Sequence, residues 1–177
     1  MGKEIWSWIK TLVLAVILAL VIRNYAFAFY VVDGQSMEPT LKNGQVLVVN
    51  NFTYRFWEPK QGDVIIFNKE EITGRRKNIF SSKFALVKRV IALPGDTVYI
   101  QDGQVYVNDQ PLAEEYIDCE ITEDYGPITL EEGWLFVLGD NRHQGASMDS
   151  RSFGPIEMSC VLGRADYIIL PSPHKVD

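Results

Sequence analysis

From Val31 onward nearly every periodic stretch is strand-like, and this limits the fold more than any other feature of the chain. Residues 45–50 are β-branched and apolar, and 63–67 come after the Gln61-Gly62 turn. Residues 85–93 form a longer run that Pro94-Gly95-Asp96 ends. Residues 98–101 and 104–108 flank Asp102-Gly103, a type I′ hairpin signal because both turn positions need positive φ. Residues 134–138 and 161–170 complete the set. Short strands, Gly/Pro turns and almost no amphipathic helix predict an all-β domain: a partly open, barrel-like antiparallel sheet.

The stretch ahead of this domain differs in kind. Trp6 to Ile22 is apolar except for Ser7, Lys10 and Thr11. As a helix it spans about 26 Å, close to the ~30 Å hydrocarbon core of a bilayer. Lys10 can snorkel to the interface, and Trp6 and Trp8 suit the headgroup belt. The expected organisation is therefore a cytoplasmic tip and single transmembrane anchor over 1–24, then an extracytoplasmic domain over 25–177. A cleavable signal is the alternative, since Ala26-Phe27-Ala28 reads as an A-x-A site. Against it, strand alternation continues through that site, with Tyr25, Phe27, Phe29 and Val31 on one face. Either way the domain lies outside the cytoplasm.

The net charge of −6 argues against a nucleic-acid partner. No Cys/His pair has zinc-finger spacing. Cys119 and Cys160 are either a disulfide or two packed thiols, and the thiols are favoured. Residues 51–60 carry Phe52, Tyr54, Phe56 and Trp57, which either dip into a bilayer surface or fill the core. Residues 69–83, with Arg75, Arg76 and Lys77, read as a basic solvated loop that can touch anionic lipid. Residues 109–132 are acidic and read as a polar excursion.

A nucleophile is suggested by GQSMEPTL at 34–41. Gly34 permits positive φ or close approach, and Pro39 stiffens the turn around Ser36. Serine, glycine and proline also make ordinary turns, so the hydroxyl needs a base nearby. His174 lies in a proline-flanked tail and is a poor base, whereas His143 lies in a Gly-bearing loop and is a better one. Lys88 sits within an apolar run, sharing a strand face with Val90 and Ala92 while Arg89 faces the other way with Val87 and Ile91. Burial lowers a lysine pKa, and a neutral amine can take a proton from a hydroxyl. An edge lysine pointing at water is the ordinary alternative. Residues 139–151 form a polar loop dense in side chains that bond to backbone, suited to wrapping a reactive centre.

Four blocks, GQSMEPTL (34–41), GDVIIF (62–67), VKRVIALPGD (87–96) and GDNR…SMDSR (139–151), occur in this order after an apolar N-terminus. In this the chain resembles the type I signal peptidases, Ser/Lys proteases of bacterial membranes, and its single anchor is similar to the Gram-positive forms. The resemblance implies Ser36 as nucleophile, Lys88 as general base and Ser147 as the hydroxyl that orients the amine. It implies Asp149, Arg151 and Arg89 as a supporting charge network, and Gly139, Asp140 and Asn141 as the start of the fourth block. Asp33, Gly34 and Gln35 before the serine, and Leu86 and Val87 before the lysine, would flank an extended substrate. The implied partners are secreted preproteins with small residues at the cleavage site, and membrane lipid; no cofactor or metal is implied. Two departures stand out: two extra residues in the fourth block leave His143 to Ala146 unplaced, and Gly34 stands where some relatives carry serine. A sortase-like transpeptidase using His143, Cys160 and Arg164, a self-cleaving Ser/Lys repressor and an anchored non-enzymatic module are the alternatives.

Overall fold

The structure, a computed structural model, describes residues 2–55, 57–68 and 85–176. The first element is helix α1 (Gly2–Ala26). It runs past Tyr25 and Ala26, so the strand expected to begin there starts at Phe27 instead. Among the described residues no helix is long and apolar enough to cross a membrane. The span expected over Trp6 to Ile22 is thus not shown among the described residues. The basic loop expected over 69–83, and Phe56, lie outside the described residues.

Two antiparallel sheets form the body. The first contains β1 (Phe27–Val31), β2 (Val46–Asn50), β3 (Val64–Asn68), β4 (Ala85–Ala92), β9 (Trp134–Leu138), β10 (Ile156–Glu157), β11 (Val161–Leu170) and β12 (His174–Lys175). Its order is β1-β2-β11-β3-β4-β9-β10, with β12 beside β11, and among the described residues the path does not close on itself. The second contains β5 (Thr97–Gln101), β6 (Gln104–Val107), β7 (Gln110–Pro111) and β8 (Tyr125–Thr129), in the order β7-β6-β5-β8. The Asp102-Gly103 turn takes positive φ at both positions, 50° and 86°, as its hairpin requires.

The acidic stretch 109–132 is not a plain excursion. It supplies β7 and β8, and it buries Ile121 and Leu130 in the core. That core joins Ile91, Ala92, Phe136 and Leu138 of the first sheet to Val98, Ile100 and Val105 of the second. A second cluster gathers Val32, Met37, Leu41, Leu47 and Ile66, so the turn after β1 is pinned by Met37 and Leu41. In β1, Phe27, Phe29 and Val31 are exposed while Ala28 and Tyr30 are half-buried. Phe52 and Trp57 are also exposed, whereas Tyr54 is half-buried and donates its hydroxyl to Asp63 at 2.9 Å. The two cysteines are not joined in a disulfide: Cys160 lies within the core and Cys119 is half-buried.

Strand β4 carries Lys88 and Arg89. Ala85 to Arg89 pair with β3, but β9 pairs only with Arg89, Val90 and Ala92. Among the described residues no strand covers the other edge of Ala85 to Lys88. A bulge between Val90 and Ala92 puts Ile91 and Ala92 into one cluster. The alternation expected to carry Lys88, Val90 and Ala92 on one face ends there.

Candidate active site

The nucleophile turn and the fourth block are tied together through the backbone. Gly34, at φ +105°, donates its N–H to Asn43 Oδ1 at 2.9 Å. Asn141 donates its N–H to the Ser36 carbonyl at 3.2 Å and its side-chain amide to the Gln35 carbonyl at 3.0 Å. Leu41 N–H returns to the Met37 carbonyl at 2.8 Å, closing the turn under the serine. Gly139 fits because a Cβ there would collide with the Ser147 hydroxyl and the Ser36 carbonyl oxygen.

Lys88 reaches this turn from β4. Its Nζ lies 2.6 Å from Ser36 Oγ and 2.8 Å from the Val87 carbonyl, and the residue is 1% exposed. Burial lowers its pKa from 10.5 to about 8, outweighing the carboxylates of Asp149 and Asp140, which push it up; Arg151 lowers it further. A desolvated amine at hydrogen-bond distance from a serine hydroxyl is the geometry of a general base with its nucleophile.

The charged residues separate into pairs. Arg89, next to Lys88 but on the opposite face, makes a two-pronged contact with Asp140, at 2.9 Å through Nε and 2.7 Å through Nη2. Arg151 pairs with Asp149 in the same manner, at 2.9 and 2.7 Å. Arg89 is thus bonded to Asp140, and Arg151 to Asp149. Asp149 also caps the short helix α2 (Ser150–Phe153) and accepts the Gly139 N–H at 3.1 Å. Burial alone would raise its carboxyl, but Arg151 and the Gly139 N–H hold it below the usual range. The Ser147 hydroxyl is itself buried and meets no partner at normal hydrogen-bond geometry. The amine of Lys88 bonds Ser36 and Val87, not Ser147.

Three residues of this network carry no signal in the strand pattern. Arg142 is 1% exposed, donates to the Gly139 carbonyl at 2.7 Å, and pairs through both terminal nitrogens with Glu114. Tyr116 donates to Glu114 at 2.8 Å and offers its ring to the Arg89 guanidinium at 3.9 Å. A chain of contacts thus runs Asp140–Arg89–Tyr116–Glu114–Arg142–Gly139. Arg142 is legible as part of GDNR; Glu114 and Tyr116 sit in a stretch without periodicity.

A cleft of about 90 Å³ opens beside Ser36, lined by Tyr30 to Asp33 on one side and Ala85 to Lys88 on the other. Of the flanking residues expected to bind substrate, Asp33, Leu86 and Val87 line it. Gly34 and Gln35 sit in the turn above it. A larger hollow of about 450 Å³ lies by Pro39, Thr40, Tyr116 and His174, where the Thr40 hydroxyl donates to Asp140 Oδ2 at 2.5 Å. His143 is exposed on its turn, and Cys160 is packed in the core.

The signal peptidase, peptidase S26, family pattern matches residues 5–170. A signal peptidase I of Bacillus licheniformis is 38% identical over 180 residues, covering 96% of this chain and 90% of that one. Signal peptidase I T of Bacillus subtilis (strain 168) is 38% identical over 176 residues, covering 93% and 85%. The crystal structure of a signal peptidase I from Enterococcus faecalis V583 aligns with TM-score 0.48 at 30% identity, over 61% of this chain and 97% of that one. With the match running over nearly its whole length, the chain belongs to the signal peptidase family, peptidase S26, and is a serine protease.

Proposed function

We propose that this chain is a membrane-anchored endopeptidase that removes signal peptides from secreted preproteins, using Ser36 and Lys88 and cutting after small residues. The observation that carries the reading is the 2.6 Å approach of a buried lysine amine to Ser36 Oγ. The neutral amine accepts the Oγ proton as Oγ attacks the scissile carbonyl carbon. The ammonium returns that proton to the leaving amine as the C–N bond breaks, which leaves an acyl-enzyme. The same amine then deprotonates a water, whose oxygen attacks the acyl carbon; the ammonium returns the proton to Ser36 Oγ as the ester C–O bond breaks, which frees the new C-terminal acid and restores the neutral amine. The Ser36 N–H is the natural donor to the oxyanion, since Gly34 offers no hydroxyl. Asp149, Arg151, Arg89, Asp140 and Asn141 hold the two loops in register, and Ser147 sits across Gly139 from Ser36.

The uncovered edge of Ala85 to Lys88 supports binding of an extended substrate as an added strand, with Asp33, Gly34 and Gln35 on its other side. The small volume of the cleft favours small side chains.

The anchor reading, over 1–24 with the catalytic domain over 25–177, draws on helix α1. Trp8, Leu12 and Leu14 turn outward from it, and the Thr11 hydroxyl is satisfied by the Ser7 carbonyl at 3.1 Å. Exposed Phe29, Val31, Phe52 and Trp57 on the body suit contact with lipid. The domain then faces the extracytoplasmic side, where preproteins emerge.

The test is cleavage of a preprotein with an A-x-A site by the full chain in detergent, beside Ser36→Ala and Lys88→Ala. Both variants are expected to lose turnover while binding substrate. Turnover retained by either one removes the dyad.

A further inference from the structure

Residues 143–146 of the fourth block form a turn on the surface, closed by the Ala146 N–H to the His143 carbonyl at 3.0 Å. The turn brings His143 against Asp118 and Cys119, two residues of a distant loop. One ligand atom from each lies within 4.8 Å of the other two. His143 Nε2 is 3.6 Å from Asp118 Oδ2. Two ligands of one tetrahedral zinc, with bonds of about 2.0 to 2.3 Å, stand about 3.3 to 3.6 Å apart. The carboxylate and imidazole therefore already have about the required spacing, and the sulfur lies within 4.8 Å of both.

We propose that Asp118, Cys119 and His143 bind one Zn²⁺ ion, with water as the fourth ligand. The donor set is one thiolate, one imidazole and one carboxylate, which suits zinc and does not suit magnesium or calcium. At 61% and 55% exposure, His143 and Asp118 are open to the ion from solvent. The surroundings favour a cation: Gln144 binds Glu123 beside the turn, and Glu120 and Asp124 belong to the same acidic segment. Binding releases the thiol proton, because only the thiolate coordinates. Burial and the Asp118 carboxylate push the Cys119 thiol up, which zinc must overcome.

The site is separate from the reacting groups but joined to the loop that holds them. His143 follows directly on Arg142, the residue that grips Gly139 and Glu114. Zinc would clasp the 118–119 loop to the 139–146 loop, whose Asn141 holds the Ser36 carbonyl. No linear spacing rule finds this set, because the fold brings its two parts together.

The test is calorimetric titration of ZnSO₄ into the full chain in detergent with a non-thiol reductant, beside His143→Ala and Cys119→Ser. One ion is expected per chain, with an observed enthalpy that varies linearly with the buffer's ionisation enthalpy, the slope counting the protons released. Each variant is expected to weaken binding by about tenfold or more. Cobalt in place of zinc should give a thiolate charge-transfer band in the near ultraviolet that Cys119→Ser abolishes. Zinc binding that both variants retain, or cobalt binding without that band, overturns the proposal. So does absence of binding to a chain that melts cooperatively. Preprotein cleavage by zinc-free protein is read separately, so failure here leaves the Ser36/Lys88 reading intact.

Discussion

Replacing Lys88 with methionine is expected to make the protein more stable and inactive at once. The methionine keeps the length of the side chain and removes the buried charge. Lys88 is 1% exposed and its pKa is lowered from 10.5 to about 8. A displacement of that size is worth about 3 kcal/mol. At pH 7 the amine is mostly protonated in both folded and unfolded chains, and the folded state bears the full desolvation penalty. Between pH 8 and 10.5 the unfolded chain still binds a proton that the native one has released, so stability rises with pH across that window. Wild type should therefore gain on Lys88→Met by roughly 2 kcal/mol between about pH 8 and about pH 9.5. The thiol of Cys119 and the buried tyrosines also titrate in alkali, but both proteins carry them and they cancel in the difference. The assay is guanidinium unfolding of the full chain in detergent at the two pH values, monitored by tryptophan fluorescence. A gap between the two proteins that is the same at both values refutes a depressed Lys88.

Three further outcomes rest on the same geometry. The kcat/KM for a preprotein should rise about tenfold from pH 7 to pH 9 as the amine loses its proton, the neutral form being the competent one; a flat profile argues against Lys88 as base. Gly139→Ala should drive a methyl into the Ser147 hydroxyl and the Ser36 carbonyl, lowering Tm by about 6 °C for a strain of about 2 kcal/mol, with a matching loss of kcat. Glu114→Gln should leave Arg142 charged and buried at a loss of about 3 kcal/mol by denaturant titration, part of which Glu114→Gln with Arg142→Met recovers.

The sequence reveals those parts of the fold that local chemistry decides. β-branched runs ending in Gly or Pro turns mark β2, β3, β4, β9 and β11 to within a residue or two. Asp102-Gly103 marks its hairpin because both positions need positive φ. β8 escapes notice because Gly126 and Pro127, ordinarily strand breakers, lie inside it. The continuation of α1 through Tyr25 and Ala26 escapes because an aromatic–alanine alternation fits a strand as well as a helix end. In the site, the blocks around Ser36 and Lys88 are contiguous in sequence and so visible. The pairings Arg89–Asp140 and Arg142–Glu114, and the meeting of His143 with Asp118, depend on which loops pack together, and no periodicity records that.

The central claim is that the Lys88 amine is uncharged often enough near neutral pH to act as a base. A shift from 10.5 to about 8 raises the neutral fraction at pH 7 about 300-fold. Titrating the lysine side chains of the full chain by carbon NMR, with Lys88→Met to assign the resonance, reads that pKa directly. The account predicts a midpoint near 8 for Lys88 while exposed lysines titrate above about 10; a Lys88 midpoint among those of the exposed lysines contradicts it.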